Sequence, residues 1–237
     1  HDYRRLARHM HRLRAVKSEL EVNLIRRACA ITKAGFLRVC RFVKPGVNEM
    51  EVEAELAHEF IRRGGGFAYN PIIASGRNGC VLHYLTNDQP CGRNDLLLLD
   101  VASNYANYNA DLTRTIPVSG RFSRRQRQVY NAVLRVLRAC SKAAVPGKLP
   151  RQWQKEAEAF VEEELLTLGL LKRSDVRRQD PDKPALKRYF MHGIGHPLGL
   201  DVHDVTHTTE PIAAGWVLTV EPGIYIPEEG LAVRLEN

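Results

Sequence analysis

The feature that most restricts this chain is a set of four carboxylates placed where strands begin or end, read together with one glycine-rich histidine segment. Leu96-Leu97-Leu98-Leu99-Asp100 is an apolar strand that closes on an acid, and Asp111-Leu112-Thr113-Arg114-Thr115 opens another after a polar Asn/Tyr turn region. Val217 to Glu221 and Leu231 to Glu236 repeat the arrangement, with Pro222-Gly223 and Gly230 bounding the connection. Acids buried together repel one another and lose their charge, so a fold that gathers these four must pair them or supply cations. Met191 to Asp204 holds His192, His196 and His203 among glycines and reads as the nitrogen half of such a metal site. One acid at a strand end is usually a turn residue. Two acid pairs, a histidine segment and Arg234 two residues before the last acid form a pattern that turns alone do not explain. Alternate strand residues share a face, so Arg234 and Glu236 should point into the same cavity.

The rest of the chain supplies the frame. Arg4 to Arg14 predicts a short charged helix. Ser18 and Glu21 have capping-box spacing, and Leu20, Leu24, Ala28, Ile31 and Gly35 follow at helical intervals, predicting a helix to about Arg41. Pro45-Gly46 ends it. Asn48 with Glu51 caps the next, with Val52, Leu56 and Phe60 inward, until Gly64-Gly65-Gly66 stops it. Short apolar runs then predict strands at Pro71 to Ala74, Val81 to Leu85, Leu96 to Val101 and Leu112 to Ile116. A third long helix is expected from Ser123 to about Ala144, closed by Pro146-Gly147, and a fourth on Trp153, Ala157, Phe160, Val161 and Leu165. Arg173 to Arg188 reads as a surface loop. The order helix, Pro-Gly, helix, strands occurs twice, which suggests an internal duplication whose first half ends in an Asp pair and whose second ends in a Glu pair. The expected fold class is α/β (α+β), a curved, mainly antiparallel sheet backed by four long helices.

Composition narrows the setting. The 237 residues, 44% hydrophobic, can bury a sizeable core, and one unit spanning 1–237 is expected. The sequence opens on His1 and stops at Asn237 straight after a strand-like run, so truncation at both ends is expected. No apolar run approaches the roughly 20 residues that cross a bilayer, and the basic start lacks the apolar core of a signal peptide, so no membrane segment is expected. Cys29, Cys40, Cys80, Cys91 and Cys140 form no CxxC pair, which fits free thiols in a reducing compartment, with the cytoplasmic location as the expectation. The formal charge of +8 reads as solvated helix faces and a loop, and no nucleic-acid motif accompanies it.

The segments Leu99-Asp100 with Asp111 to Arg114, His192 to Asp204, Glu221 to Tyr225 and Arg234 to Asn237 resemble the creatinase/aminopeptidase P group of pita-bread metallopeptidases, and the likeness runs from Ser18 to Asn237. The resemblance implies that Asp100, Asp111, His196, Glu221 and Glu236 bind two divalent metal ions, with Asp111 and Glu236 bridging. Mn²⁺ suits a carboxylate-rich set with one imidazole, and Co²⁺ or Zn²⁺ is also compatible. In the related methionine aminopeptidases the ligand histidine precedes a second catalytic histidine by seven positions. His196 and His203 have that spacing, whereas Gly199 stands seven after His192, so His196 is the expected ligand, His203 the substrate-facing partner and His192 a pocket residue. His83 matches a histidine beside the substrate in aminopeptidase P-like and prolidase-like enzymes.

The implied chemistry is hydrolysis between an N-terminal residue and a following proline. Two ions about 3.5–4 Å apart would hold and activate a water. Glu221 would act as general base and acid, His203 would stabilise the oxyanion, His83 would hold substrate near the leaving group, and Arg234 would shape the pocket or hold carboxylates. Action on Xaa-Pro dipeptides (prolidase) is the alternative within the enzyme class, and an inactive relative that binds peptides or nucleic acid is the alternative outside it. The family's amino-terminal creatinase-type domain and the strands beyond Glu236 are absent from the sequence, a homo-oligomer is expected of the full-length protein, and Gly195 and Pro197 depart from the commonest local variants.

Overall fold

The computed structural model describes residues 3–207 and 209–237. Helix α1 (Tyr3–Ala15) precedes two helix pairs, α2 (Glu19–Phe42) with α3 (Glu49–Arg62) and α4 (Arg124–Ala143) with α5 (Pro150–Thr167). The capping signals act as the spacing predicts. Ser18 N–H donates to Glu21 Oε2 at 2.7 Å, and Asn48 N–H donates to Glu51 Oε2 at 2.7 Å. Each cap satisfies helix-end N–H groups that have no partner inside the helix. Ile31, Phe36 and Val39 of α2 meet Val52, Leu56 and Phe60 of α3, while Ala28 packs on Ala102 and Ala110. Gly35 lets the pair approach, since a Cβ there would lie 2.6 Å from Phe60 Cε1.

Two Pro-Gly turns repeat each other in glycine conformation and in one reciprocal pair of backbone bonds. Gly46 has φ +92° and Gly147 φ +90°, a left-handed conformation that favours glycine. Gly46 N–H donates to Cys91 O at 2.9 Å, and Cys91 N–H returns to Val47 O at 2.8 Å. Gly147 N–H donates to Ile212 O and Ile212 N–H returns to Lys148 O, both at 2.8 Å. The duplication suggested by residue order is therefore present in hydrogen bonding.

The first half carries an antiparallel sheet of β2 (Ile72–Ser75), β3 (Leu96–Asp100) and β6 (Thr113–Pro117), in the order β2-β3-β6. A second small sheet joins β1 (Gly66–Phe67), β4 (Ser103–Tyr105) and β5 (Tyr108–Asn109). Leu97 and Leu99 pack under α2 and α3, while Leu98 packs on Tyr225 and Ala232 of the second half. Burial on both faces explains the unbroken leucine run, each side chain contributing about 1.5–3 kcal/mol. In the second half β7 (Gly223–Ile226) pairs antiparallel with β8 (Leu231–Arg234). Backbone bonds carry that register outward through Val220–Asn237 and Leu235–Pro222, then through Glu221–Ile194, Thr219–His196 and Leu198–Val217. The halves meet where Thr113 and Thr115 face Arg234 and Glu236. There one backbone bond, Glu236 N–H to Thr113 O at 3.0 Å, is supplemented by the Thr115 hydroxyl, which bonds both N–H and C=O of Arg234.

Three expectations need correction. Val81 to Leu85 is no strand; it follows a 3₁₀ turn (Gly76–Cys80) as irregular loop, with Val81 and Leu85 exposed and Tyr84 bonded inward to Glu49. His83 is accordingly a loop residue. Val217 to Glu221 lies one step before the regular strand, because Pro222 supplies no N–H to the ladder. The charged stretch after Lys172 holds a short helix, α6 (Arg173–Arg178), and a 3₁₀ turn (Ala185–Arg188).

Candidate metal centre

Consecutive strands bring the five acid and histidine candidates to one place. Across the sheet they follow in the order His196, Glu221, Glu236, Asp111 and Asp100, and Glu221 stands opposite Glu236 in the extended β7–β8 register. All five line a cavity of about 570 Å³ together with His83, His192, His203, Arg234 and Tyr69. Ligand atoms of Asp111, His196 and Glu236 lie within 4.8 Å of one another. His196 Nε2 is 3.3 Å from Asp111 Oδ2 and 3.6 Å from Glu221 Oε1.

The two histidines of the glycine segment differ in what their nitrogens do. His196 Nδ1 bonds the Pro197 carbonyl at 2.9 Å, which places the proton on Nδ1 and leaves the Nε2 lone pair facing the acids. His192 has both nitrogens engaged, Nδ1 with Gly193 O and Nε2 with the Tyr225 hydroxyl, each at 2.8 Å. His203 stacks obliquely on His196 with ring centroids 4.0 Å apart. His83 stands exposed at the cavity rim.

Arg234 is a buried guanidinium with three partners: Asp100 Oδ2 at 2.5 Å, the Tyr225 hydroxyl at 2.8 Å and the Thr113 hydroxyl at 3.2 Å. Asp100 Oδ1 accepts from the Tyr69 hydroxyl at 2.7 Å, and the same hydroxyl reaches Asp111 Oδ1 at 2.6 Å. Thr113 Oγ1 donates to Glu236 Oε2 at 2.7 Å. Thr219 Oγ1 accepts from His196 N–H at 3.0 Å.

The electrostatics match this crowding. Burial pushes Glu236 well above the usual carboxylate range, and the charges of Asp111, Asp100 and Glu221 add to the shift. Burial raises Glu221 to about 7 against the pull of His196 and Arg234. Burial lowers His192 to about 4 and, with the charge of His196, also lowers His203. His196 moves the other way: burial, the largest single influence, lowers it, but the bond to Asp111, the Pro197 carbonyl and the charges of Glu221 and Asp111 together raise it. Four acids facing a single guanidinium, with one imidazole nitrogen aimed among them and no thiolate lining the cavity, fit hard or borderline divalent cations.

Sequence reasoning did not single out Tyr69, Thr113 or Thr219. Tyr69 lies near the start of β2 behind a glycine turn, with no periodic or charge signal. The threonines read as ordinary strand residues, and only their place one strand away from an acid or histidine gives them work.

A family model described as metallopeptidase family M24 matches residues 23–237. The chain belongs to that family. Within M24 it is 39% identical to an Xaa-Pro aminopeptidase of Haemophilus influenzae over 95% of this chain and 55% of that protein. It is 37% identical to the Xaa-Pro aminopeptidase of Escherichia coli, over 96% of this chain and 54% of the relative. The chain thus spans about half the length of these relatives. Among solved structures, Escherichia coli aminopeptidase P with the inhibitor Pro-Leu superposes with a TM-score of 0.90 at 36% identity, covering 97% of this chain and 55% of that one. The zinc-substituted form of the same enzyme in complex with product gives 0.91 over 99% of this chain and 55% of that one, at the same 36% identity. The M24 chain accordingly has the pita-bread fold that the sequence segments imply.

Proposed function

We propose that this chain uses bound divalent metal to hydrolyse the bond between an N-terminal residue and a following proline. The convergence of Asp111, His196 and Glu236 within 4.8 Å, in a chain that aligns along 95% of its length with an Xaa-Pro aminopeptidase, carries the reading. Asp100, Asp111, His196, Glu221 and Glu236 would hold two ions, Asp111 and Glu236 shared between them. The Nε2 of His196, turned toward Asp111 and Glu221, and the doubly engaged ring of His192 support His196 as the nitrogen ligand. Mn²⁺ is the proposed metal, for the oxygen-rich donor set. Such ions, when bound, polarise a carbonyl and make water acidic enough to ionise near neutral pH.

The protein's own groups do the rest. Tyr69 and Arg234 fix the two oxygens of Asp100, so the carboxylate plane is set before a ligand arrives. Glu221 faces the cavity and would take a proton from water and deliver it to the departing proline nitrogen. His203, which burial and the charge of His196 hold below the usual imidazole value, would donate to the developing oxyanion. His83 at the rim would contact the leaving side. Proline offers no N–H, so recognition must rest on ring shape and on the flanking carbonyl.

The free thiols support a reducing compartment such as the cytoplasm. Among the described residues no helix is long and apolar enough to cross a membrane. Homo-oligomerisation rests on the family resemblance alone and is tested by light scattering.

The decisive experiment strips the chain of metal, reloads it with Mn²⁺, Co²⁺ or Zn²⁺, and offers Xaa-Pro-Xaa, Xaa-Pro and Xaa-Ala-Xaa peptides. Release of the first residue from Xaa-Pro-Xaa, fastest with Mn²⁺, is expected. Cleavage of the dipeptide alone would move the assignment to a prolidase, and a fully loaded chain that cleaves nothing would make it a binding module.

A further inference from the structure

Glu49 is the first residue of α3 and is fully buried, yet among the described residues it makes no salt bridge. A buried carboxylate without a counter-charge is costly unless hydrogen bonds replace its hydration. Here four donors do so. Ser75 N–H donates to Oε1 at 2.7 Å and Asn78 Nδ2 to the same oxygen at 3.2 Å. The Tyr84 hydroxyl donates to Oε2 at 2.8 Å and Gln89 N–H at 3.0 Å. The helix N-terminus adds favourable dipole.

These donors are the end of β2, its 3₁₀ turn, the residue after His83 and the end of the same loop. One carboxylate therefore gathers the whole span from Ser75 to Gln89. His83 needs such an anchor, because its exposed ring has no hydrogen bond among the described residues and its backbone lies outside any sheet. Its place is set through Tyr84, which turns inward to Glu49 while His83 turns to the cavity. The Tyr84 phenol is pushed up to about 12 by burial and by this bond, so it remains a donor at working pH. Nearby bonds brace the same loop: Asn48 Nδ2 to Asp88 O at 2.8 Å, and Asn87 Nδ2 to Pro71 O and Glu53 Oε2, each at 2.9 Å.

We propose that Glu49 is a positioning residue for His83, clamping the 75–89 span so that the imidazole stands at the mouth of the metal cavity. This rests on the peptidase reading for its catalytic consequence, but not for the clamp itself. Glutamine is the informative replacement. It keeps size and shape, yet its NH₂ replaces one acceptor oxygen and meets donors head-on.

The test uses the whole chain, Mn²⁺-loaded, with an Xaa-Pro-Xaa peptide as probe. Glu49→Gln is expected to lower kcat/KM by about tenfold or more, as displaced catalytic groups do, with metal per chain unchanged. In a His83→Ala background the same change should cost less than about twofold, since coupled residues are non-additive. Backbone hydrogen exchange at Ser75 and Gln89 should accelerate in Glu49→Gln. Tyr84→Phe, which removes one bond and leaves the carboxylate in place, should lower kcat/KM in the same direction by a smaller factor and serves if Glu49→Gln does not fold. An equal loss with and without His83, or unchanged amide exchange, overturns the proposal while the peptidase reading stands. If the parent cleaves no Xaa-Pro peptide, that reading fails, and the exchange measurement alone decides the clamp.

Discussion

Asp204, directly after His203, forms a buried pair with Lys17 at the inner end of a charge cluster. Its Oδ2 accepts from Lys17 Nζ at 3.1 Å, with both side chains 1% exposed. Its Oδ1 accepts from Val205 N–H at 2.9 Å and pairs with Arg14. Gly199 permits the approach, since a Cβ there would lie 2.2 Å from Asp204 Oδ2. Asp204→Ala would strand the Lys17 ammonium in a dry space, and losing one partner of such a pair costs about 3–5 kcal/mol. Arg14 is 26% exposed and keeps Asp201 at 2.6 Å, so it adds little to that figure. At about 2–4 °C per kcal/mol for a chain of this size, the unfolding midpoint should fall by roughly 6–20 °C. Lys17→Met in the same protein should recover most of the loss, because removing both partners leaves no orphan. Urea unfolding followed by circular dichroism, with calorimetry for the midpoint, measures both. An Asp204→Ala chain within about 1 kcal/mol of the parent, or a double variant no more stable than the single, would refute the dry-pair argument.

Asp111→Ala should lower metal per chain and abolish peptide turnover, since a shared carboxylate serves both ions; full occupancy of two sites in the variant would count against bridging. His196→Ala should lose metal affinity by calorimetric titration, whereas His203→Ala should lower kcat by about 10²–10³ with metal retained. His192→Ala should change mainly KM, and if it loses metal while His196→Ala keeps it, the two histidines must exchange roles. Gly195→Ala places a Cβ 2.1 Å from the Thr219 carbonyl oxygen, so the strands carrying His196 and Glu221 must part; destabilisation by more than about 3 kcal/mol is expected, and a crystal structure with the His196–Thr219 bond intact would contradict it.

Helix boundaries were readable from Ser18, Asn48 and Ser123 because a capping side chain acts within three residues of its target. The acid pairs were readable because strand alternation and order place them before any tertiary contact is known. Val81 to Leu85 misled for a tertiary reason: its alternation is that of a strand, but Glu49 draws Tyr84 inward and the span folds as an irregular loop. Tyr69 was invisible because its role lies in reaching two aspartates 31 and 42 residues away. Nothing local marks a tyrosine for that.

The seam between the sheets bears on how the chain is made. Leu231 to Glu236 inserts between two strands already synthesised, with Gly223 to Ile226 on one side and Thr113 to Pro117 on the other. The cavity therefore cannot close until Leu231 to Glu236 arrives, a non-local step of the kind that slows folding. Until then Thr113 to Pro117 presents an open edge flanked by apolar strands, a template for pairing with another chain. A nascent chain paused before Gly230 is thus aggregation-prone at the strand that will later flank its metal ligands.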